Sequence, residues 1–213
     1  MTEEHGKTYA DSIGDFTRGL EVVETSTNVS SLMMGESIEN ISRGVDMYTY
    51  KHPLGVCAGI CAFNFPVMIP LWMYPLAIVC GNTYILKASE RVANSAMILT
   101  ELLDKTGLPK GVFNLVHGSR QTTTNICTHP DIKAVSFVGS NQGGEYVYKT
   151  ATANGKRAQA NLGAKNHAIV MPDAEKEDTI NALVGACFGA SGQRCMAITT
   201  VVFVGDVRYL FYL

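Results

Sequence analysis

The chain has 213 residues, and a chain of that length buries roughly 70% of its unfolded surface when it folds. It is 46% apolar and 17% charged, against roughly 25% charged for an average globular chain, which excludes charge-driven disorder, a coiled coil or a collagen-like rod. Seventeen basic and nineteen acidic residues leave a net charge of -2 with no basic stripe, so a nucleic-acid surface is excluded as well. Cysteines stand at positions 57, 61, 80, 127, 187 and 195 without a C-x-x-C pair. That pattern reads as reduced intracellular thiols and not as a disulfide frame or zinc site. Residues Met1–Ala10 are polar and mixed in charge, unlike a secretory signal or an Arg-rich transit peptide. Between Lys51 and Lys87 there is no charged residue, a length that could cross a bilayer. Pro53, Pro66, Pro70 and Pro75 would break a single spanning helix there, so a buried strand followed by a buried helix is expected, with no membrane association.

In chain order, Ile13, Phe16, Leu20 and Val23 fall at helical spacing and predict an amphipathic helix over 8–24. Residues 33–50 alternate loosely and predict an extended hairpin or arm. From there strands and helices alternate. Strands are expected at 55–62, 84–86, 112–117, 134–138, 157–161, 168–171 and 198–204. Helices are expected at 67–80, 92–106, 122–128, 143–153 and 178–190. Strands that read as continuous apolar runs and alternate with helices imply an α/β fold with a parallel sheet covered on both faces. Such sheets bind ligands beyond the carboxyl ends of their strands, which directs attention to the loops 62–66, 87–91, 117–120, 139–144 and 162–167.

Four segments carry groups able to do chemistry. Cys195, in Ser191-Gly192-Gln193-Arg194-Cys195, sits on a loop beside an arginine whose charge could favour a thiolate. A lone cysteine is nonetheless more often buried and inert. Gly139-Ser140-Asn141-Gln142-Gly143-Gly144 joins a strand to a helix. It is either a phosphate-binding helix start or an ordinary turn. Lys87 and Glu90, three residues apart after a strand, could hold the two hydroxyls of a ribose or form a surface ion pair. Asn64, in the apolar Phe63-Asn64-Phe65-Pro66, could donate to a developing oxyanion or fix a turn.

Taken in order, these segments resemble the aldehyde dehydrogenase superfamily. Ala62-Phe63-Asn64-Phe65-Pro66 is similar to its W/F-N-F-P segment and Lys87-Ala88-Ser89-Glu90 to its K-P-S-E, with Ala88 in place of proline. Phe137-Val138-Gly139-Ser140 is similar to F-T/V-G-S, Asn161-Leu162-Gly163-Ala164-Lys165-Asn166 to E-L-G-G-K-x, and Gly192-Gln193-Arg194-Cys195 to G-Q-x-C. The resemblance is closer still to the CoA-acylating branch that acts on methylmalonate and malonate semialdehyde. It is carried by Met68-Ile69-Pro70-Leu71-Trp72-Met73, Ser89-Glu90-Arg91-Val92, Ala160–His167 and Gly192–Ala197.

The resemblance implies a Rossmann-like sheet, with residues 1–32 and 52–163 as a partial NAD-binding domain. It makes 33–51 an oligomerisation arm of a homotetramer and 164–213 the start of a catalytic domain. It implies Cys195 as nucleophile, with Asn64 and the Cys195 N–H as oxyanion hole. Cys61 and Phe63 would line the dinucleotide path, Lys87, Glu90 and Arg91 would take the adenosine side of NAD, and Ser140 the pyrophosphate. Arg194, and secondarily Arg18, would meet the carboxylate of the semialdehyde. No metal is implied, and the branch is mitochondrial, in the matrix. Asn161 stands where most of the superfamily has a glutamate that activates water. An amide cannot take a proton, which favours thiolysis by coenzyme A over hydrolysis. The family's E-I-F-G-P segment is absent, so these residues are expected to be the middle portion of a family member, ending in a divergent apolar run, Val207–Leu213. Two other outcomes are compatible with the same residues. One is a silent fragment that keeps nucleotide binding or subunit pairing, the other a generic α/β nucleotide-binding protein.

Overall fold

The computed structural model describes residues 1–205, so Val207–Leu213 lies outside the described residues. Its centre is a five-stranded parallel sheet in the order β5-β4-β3-β6-β7, made of β3 (Val56–Ile60), β4 (Thr83–Lys87), β5 (Phe113–Val116), β6 (Ile132–Val138) and β7 (Arg157–Asn161). The expected parallel α/β sheet is therefore present, built from strands at the expected places. Helices α4 (Met68–Val79) and α5 (Ala93–Asp104) follow β3 and β4, and α6 (Arg120–Thr128) and α7 (Asn141–Ala153) follow β5 and β6.

Side chains alternate across each strand, so the sheet builds two cores. Ala58 and Ile60 of β3 pack with Val135, Phe137, Ile126, Cys127, Val147 and Ala151 on the face of α6 and α7. Cys57 of the same strand, and Cys61 just past its end, pack with Tyr84, Leu86, Ile69, Leu71 and Tyr74 on the face of α4. The charge-free stretch 52–86 is thus β3, α4 and most of β4, and no helix among the described residues is long and apolar enough to cross a membrane.

The hairpin β1 (Ser37–Ser42) and β2 (Val45–Tyr48) is a separate antiparallel ribbon in which every residue is exposed, including Ile38, Ile41, Val45, Met47 and Tyr48. After β7, β8 (Asn166–Val170) and β9 (Ile198–Phe203) pair in parallel across α8 (Lys176–Phe188), which buries none of its residues.

The N-terminal segment differs most from expectation. Besides α2 (Tyr9–Ser26) it contains two short helices, α1 (Thr2–His5) and α3 (Val29–Leu32), too brief to leave an apolar period. Helix α2 lies where periodicity put it, but the face it buries is turned about 100° from the apolar stripe, and only Val23 of that stripe packs on the core. Ile13, Phe16 and Leu20 are exposed, while Ser12, Asp15, Gly19 and Ser26 are buried. The reason is close packing on α4: a Cβ at Gly19 would lie 2.7 Å from Leu71 Cδ1 and 3.2 Å from Met68 Cα.

This packing also supplies two helix caps. The residues preceding α4 and α5 are Val67 and Val92, which have no side-chain acceptor for the free N–H groups of a helix start. Asp15 accepts the Met68 N–H of α4 at 2.7 Å. Glu4 accepts the Asn94 and Ser95 N–H groups of α5 and the Ser95 hydroxyl at 2.6 Å. Both carboxylates face the positive end of a helix dipole. Replacing Glu4 with alanine is expected to lower unfolding free energy by about 1 kcal/mol, and by no more than about 2. Urea denaturation checks this, and an unchanged midpoint would contradict the cap.

Candidate active site

The strand ladders bring the carboxyl ends of the sheet to one height: Ile60 pairs with Lys87 and Phe137, Lys87 with Val116, and Val138 with Asn161. β3 lies between β4 and β6, so the chain leaves β3 toward one side and later returns to its other side. The crevice at such a switch point is where open parallel sheets hold ligands. A cleft of about 640 Å³ lies there. All five expected loops contribute to it: 62–64, 87–91, 119–120, 139–140 and 162–163. Gly192, Gln193, Arg194 and Cys195 close it from the other side.

The cleft lining includes Cys195, Asn64, Cys61, Phe63, Lys87, Glu90, Arg91, Ser140 and Arg194. Arg18 is not among its lining residues. It is exposed on α2 and pairs with Glu21 at 3.0 Å. Asn161 ends β7 next to the lining residues Leu162 and Gly163, and its carbonyl accepts the Gly139 N–H at 3.1 Å.

The Cys195 loop is held by several bonds. Ala190 and Ser191 have φ of 51° and 56°, and Gly192 follows at 71°. Left-handed backbone at non-glycine residues costs roughly 1–3 kcal/mol each and persists where the surroundings enforce it. Here Asn166 Nδ2 donates to the carbonyls of Cys195 at 2.7 Å and Ala197 at 3.0 Å, and Asn64 Nδ2 donates to the Gln193 carbonyl at 2.9 Å. The Arg194 guanidinium lies over Gly189, where any Cβ would lie 2.5 Å from Cζ, and donates to the Asp11 carboxylate. Burial pushes Asp11 up, but hydrogen bonds from Thr8 and Arg194 outweigh it and leave the group below the usual carboxylate range. Arg194 is thus tethered to α2 and still lines the cleft.

On the opposite side, Lys87 Nζ donates to Glu90 at 2.8 Å, with the lysine buried and the carboxylate half in solvent. That bond holds Glu90 below the usual carboxylate range. Together they offer one donor and one acceptor at the rim. The Phe63 ring has the Arg91 guanidinium 5.3 Å from its centroid and stacks on His5 at 6.0 Å. Cys61 also lines the cleft but is buried, and burial pushes its thiol far up.

The glycines of 139–144 have a packing role. A Cβ at Gly139 would lie 2.6 Å from Phe137 Cζ, and one at Gly144 would lie 1.9 Å from Leu162 Cδ2. The loop is close-packed, and none of its glycines needs a positive φ. Ser140 caps α7, its hydroxyl accepting the Gly143 N–H at 3.2 Å. Its own hydroxyl proton remains available at a helix start. Ser119 before α6, and Arg120 and Thr123 in its first turn, also line the cleft. Sequence reading missed them, although the search for post-strand loops had marked 117–120.

Residues 1–211 match the family model "Aldehyde dehydrogenase family". The chain belongs to the aldehyde dehydrogenase family. It is 58% identical to the rat enzyme named methylmalonate-semialdehyde/malonate-semialdehyde dehydrogenase [acylating], mitochondrial, over 98% of this chain and 39% of that one. The structure of the methylmalonate-semialdehyde dehydrogenase of Oceanimonas doudoroffii superposes with a TM-score of 0.94 at 51% identity, covering 97% of this chain and 42% of that one. A Sinorhizobium meliloti structure given the same enzyme name, complexed with NAD, reaches 0.95 at 50% identity, over 98% and 43%. The chain therefore spans about 39% of the length of the rat relative.

The six cysteines of this aldehyde dehydrogenase chain are all free, and they divide by burial. At neutral pH, iodoacetamide is expected to reach Cys80, Cys187 and Cys195 in the folded chain and to spare Cys57, Cys61 and Cys127. Peptide mass spectrometry after a short pulse reads this. Cys61 labelled as fast as Cys195 would contradict its burial.

Proposed function

We propose that the cleft serves NAD-dependent, CoA-acylating oxidation of methylmalonate or malonate semialdehyde, the activity named for the relatives. The observation that carries the reading is the convergence of Cys195 and Asn64 on one crevice at the switch point of a parallel sheet. The donor set suits a dinucleotide. Lys87 and Glu90 can bind two ribose hydroxyls, the α7 start with Ser140 suits a pyrophosphate, and Phe63 offers a flat apolar wall. NAD, when bound, supplies the hydride acceptor.

This chain's own residues then divide the work. The Cys195 sulfur attacks the aldehyde carbon. Asn64 Nδ2, with one hydrogen on the Gln193 carbonyl, has a second for the developing oxyanion, joined by the Cys195 N–H. Arg194, steadied by Asp11, keeps guanidinium nitrogens for the substrate carboxylate. Loss of hydride equivalents leaves a Cys195 thioester, whose acyl group passes to the thiol of coenzyme A.

Asn161 supports thiolysis as the second half. Hydrolysis without a base loses roughly 10²–10⁴-fold, whereas a thiol of ordinary pKa near 8.5 is already a few per cent thiolate at neutral pH. The acyl group also loses its carboxylate: the bond from the α-carbon to the carboxylate breaks, CO2 leaves, and the electron pair passes into the thioester enolate, which takes a proton from water, so the products are an acyl-CoA, CO2 and NADH. The β1–β2 hairpin is the proposed subunit-pairing arm of a homotetramer, since an isolated two-stranded ribbon is marginal and this one exposes five large apolar residues. By the names of its relatives the proposed location is mitochondrial, in the matrix.

A second reading is favoured by one observation: α8 buries none of its residues and β8–β9 is an open pair. A chain in that state binds nucleotide without turning over aldehyde. NADH formation from malonate semialdehyde separates the two. The acylating reading expects a rate at least about tenfold higher with coenzyme A than without it. Equal rates would contradict thiolysis, and an NAD-dependent rise in melting midpoint with no NADH formed would establish the second reading.

A further inference from the structure

Among the described residues Asn64 makes one side-chain hydrogen bond, from Nδ2 to the Gln193 carbonyl, and its buried Oδ1 has no partner. That one bond, made to a loop on the far side of the cleft, does not by itself fix where the amide stands. The backbone beneath it must do so, and two residues far away in sequence hold that backbone. Lys7 Nζ donates to the Asn64 carbonyl at 2.7 Å and to Asp15 Oδ2 at 3.0 Å, and lies 4.4 Å from the Phe65 ring centroid. The other oxygen of Asp15 accepts the Met68 N–H at 2.7 Å. Both side chains are 0% exposed. The pair thus grips the segment 64–68 at its first carbonyl, at the ring of its second residue and at its last N–H.

A well-packed apolar pair usually serves stability as well as a buried ion pair does or better. An apolar pair could not bond a carbonyl and an N–H on the same loop. We infer that Lys7 and Asp15 are positioning residues for the Asn64 amide, setting its distance from the Cys195 loop. The inference rests on the proposed role of Asn64 as oxyanion donor. Such a donor acts only within about 2.7–3.1 Å of the oxygen, and a misplacement of about 1 Å costs on the order of 10²-fold in rate. Asp11, one turn before Asp15 on α2, tethers Arg194 on the other loop, so a single helix references both sides of the site.

The test follows the side-chain NH2 signal of Asn64 in a ¹⁵N–¹H spectrum of the chain, identified by its loss in Asn64→Ala. In Lys7→Met/Asp15→Asn, which removes both charges and keeps an acceptor for Met68, the signal is expected to move to the position of solvent-exposed asparagine amides while the backbone spectrum stays dispersed. Turnover is expected to fall about 10–100-fold with NAD affinity unchanged. Should that variant not fold, isosteric Asp15→Asn alone must move the same signal in the same direction. An Asn64 signal unmoved in a folded variant overturns the inference, whether or not the chain turns over aldehyde. Failure of the oxyanion reading shows separately, as undiminished Cys195 acylation in Asn64→Ala.

Discussion

The common height of the parallel strands is the constraint on which the site depends. Ile60, Lys87 and Val116 end their strands level with one another and with Phe137, and β6 runs one residue further to Val138, which pairs with Asn161. Each following loop must therefore turn over the same edge. A one-residue slip in β3 would exchange Ala58 and Ile60 for Cys57 and Cys61 between two cores of different shape, which the packing on both faces forbids. The polar groups of the cleft converge because the apolar residues beneath them can pack in only one register.

That edge fixes where the loops begin but leaves their tips free. The tips are set by bonds from outside the sheet. The N-terminal segment supplies three carboxylates to them: Glu4 at the start of α5, Asp15 at the start of α4, and Asp11 on Arg194. Removing one partner of a buried ion pair such as Lys7–Asp15 costs roughly 3–5 kcal/mol, because the other charge stays buried. A segment that looks peripheral in sequence thus stiffens the side of the cleft where Asn64 stands. Asn166 does the equivalent for Cys195, holding its carbonyl against a run of left-handed backbone.

The sheet was legible because β3, β4 and β6 are apolar runs separated by helices, a pattern with few other solutions. The cleft was legible because ligand chemistry in such sheets is confined to post-strand loops, and because four of the five ordered motifs lie on them, the fifth preceding β9. Three things were not. The buried face of α2 carries Ser12, Asp15 and Gly19 in place of its apolar stripe, since the partner helix needs close approach and a cap. The packing role of Gly139 and Gly144 leaves no residue signal of its own, because the space a side chain would need is taken by Phe137 and Leu162. The left-handed Ala190 and Ser191 leave no residue signal, because their conformation is imposed by the loops they touch. Arg18, chosen by analogy, pairs with Glu21 on the outer surface instead of lining the cleft.

If the cysteine opposite Asn64 is the point where the aldehyde becomes an acyl group, that group must be caught on it. Intact-protein and peptide mass spectrometry after mixing the chain with malonate semialdehyde and NAD, without coenzyme A, reads this directly. The account predicts an acyl adduct confined to Cys195 that persists against water and disappears when coenzyme A is added. An adduct spread over Cys80 and Cys187 as well, or one that water discharges as fast as coenzyme A does, would contradict it.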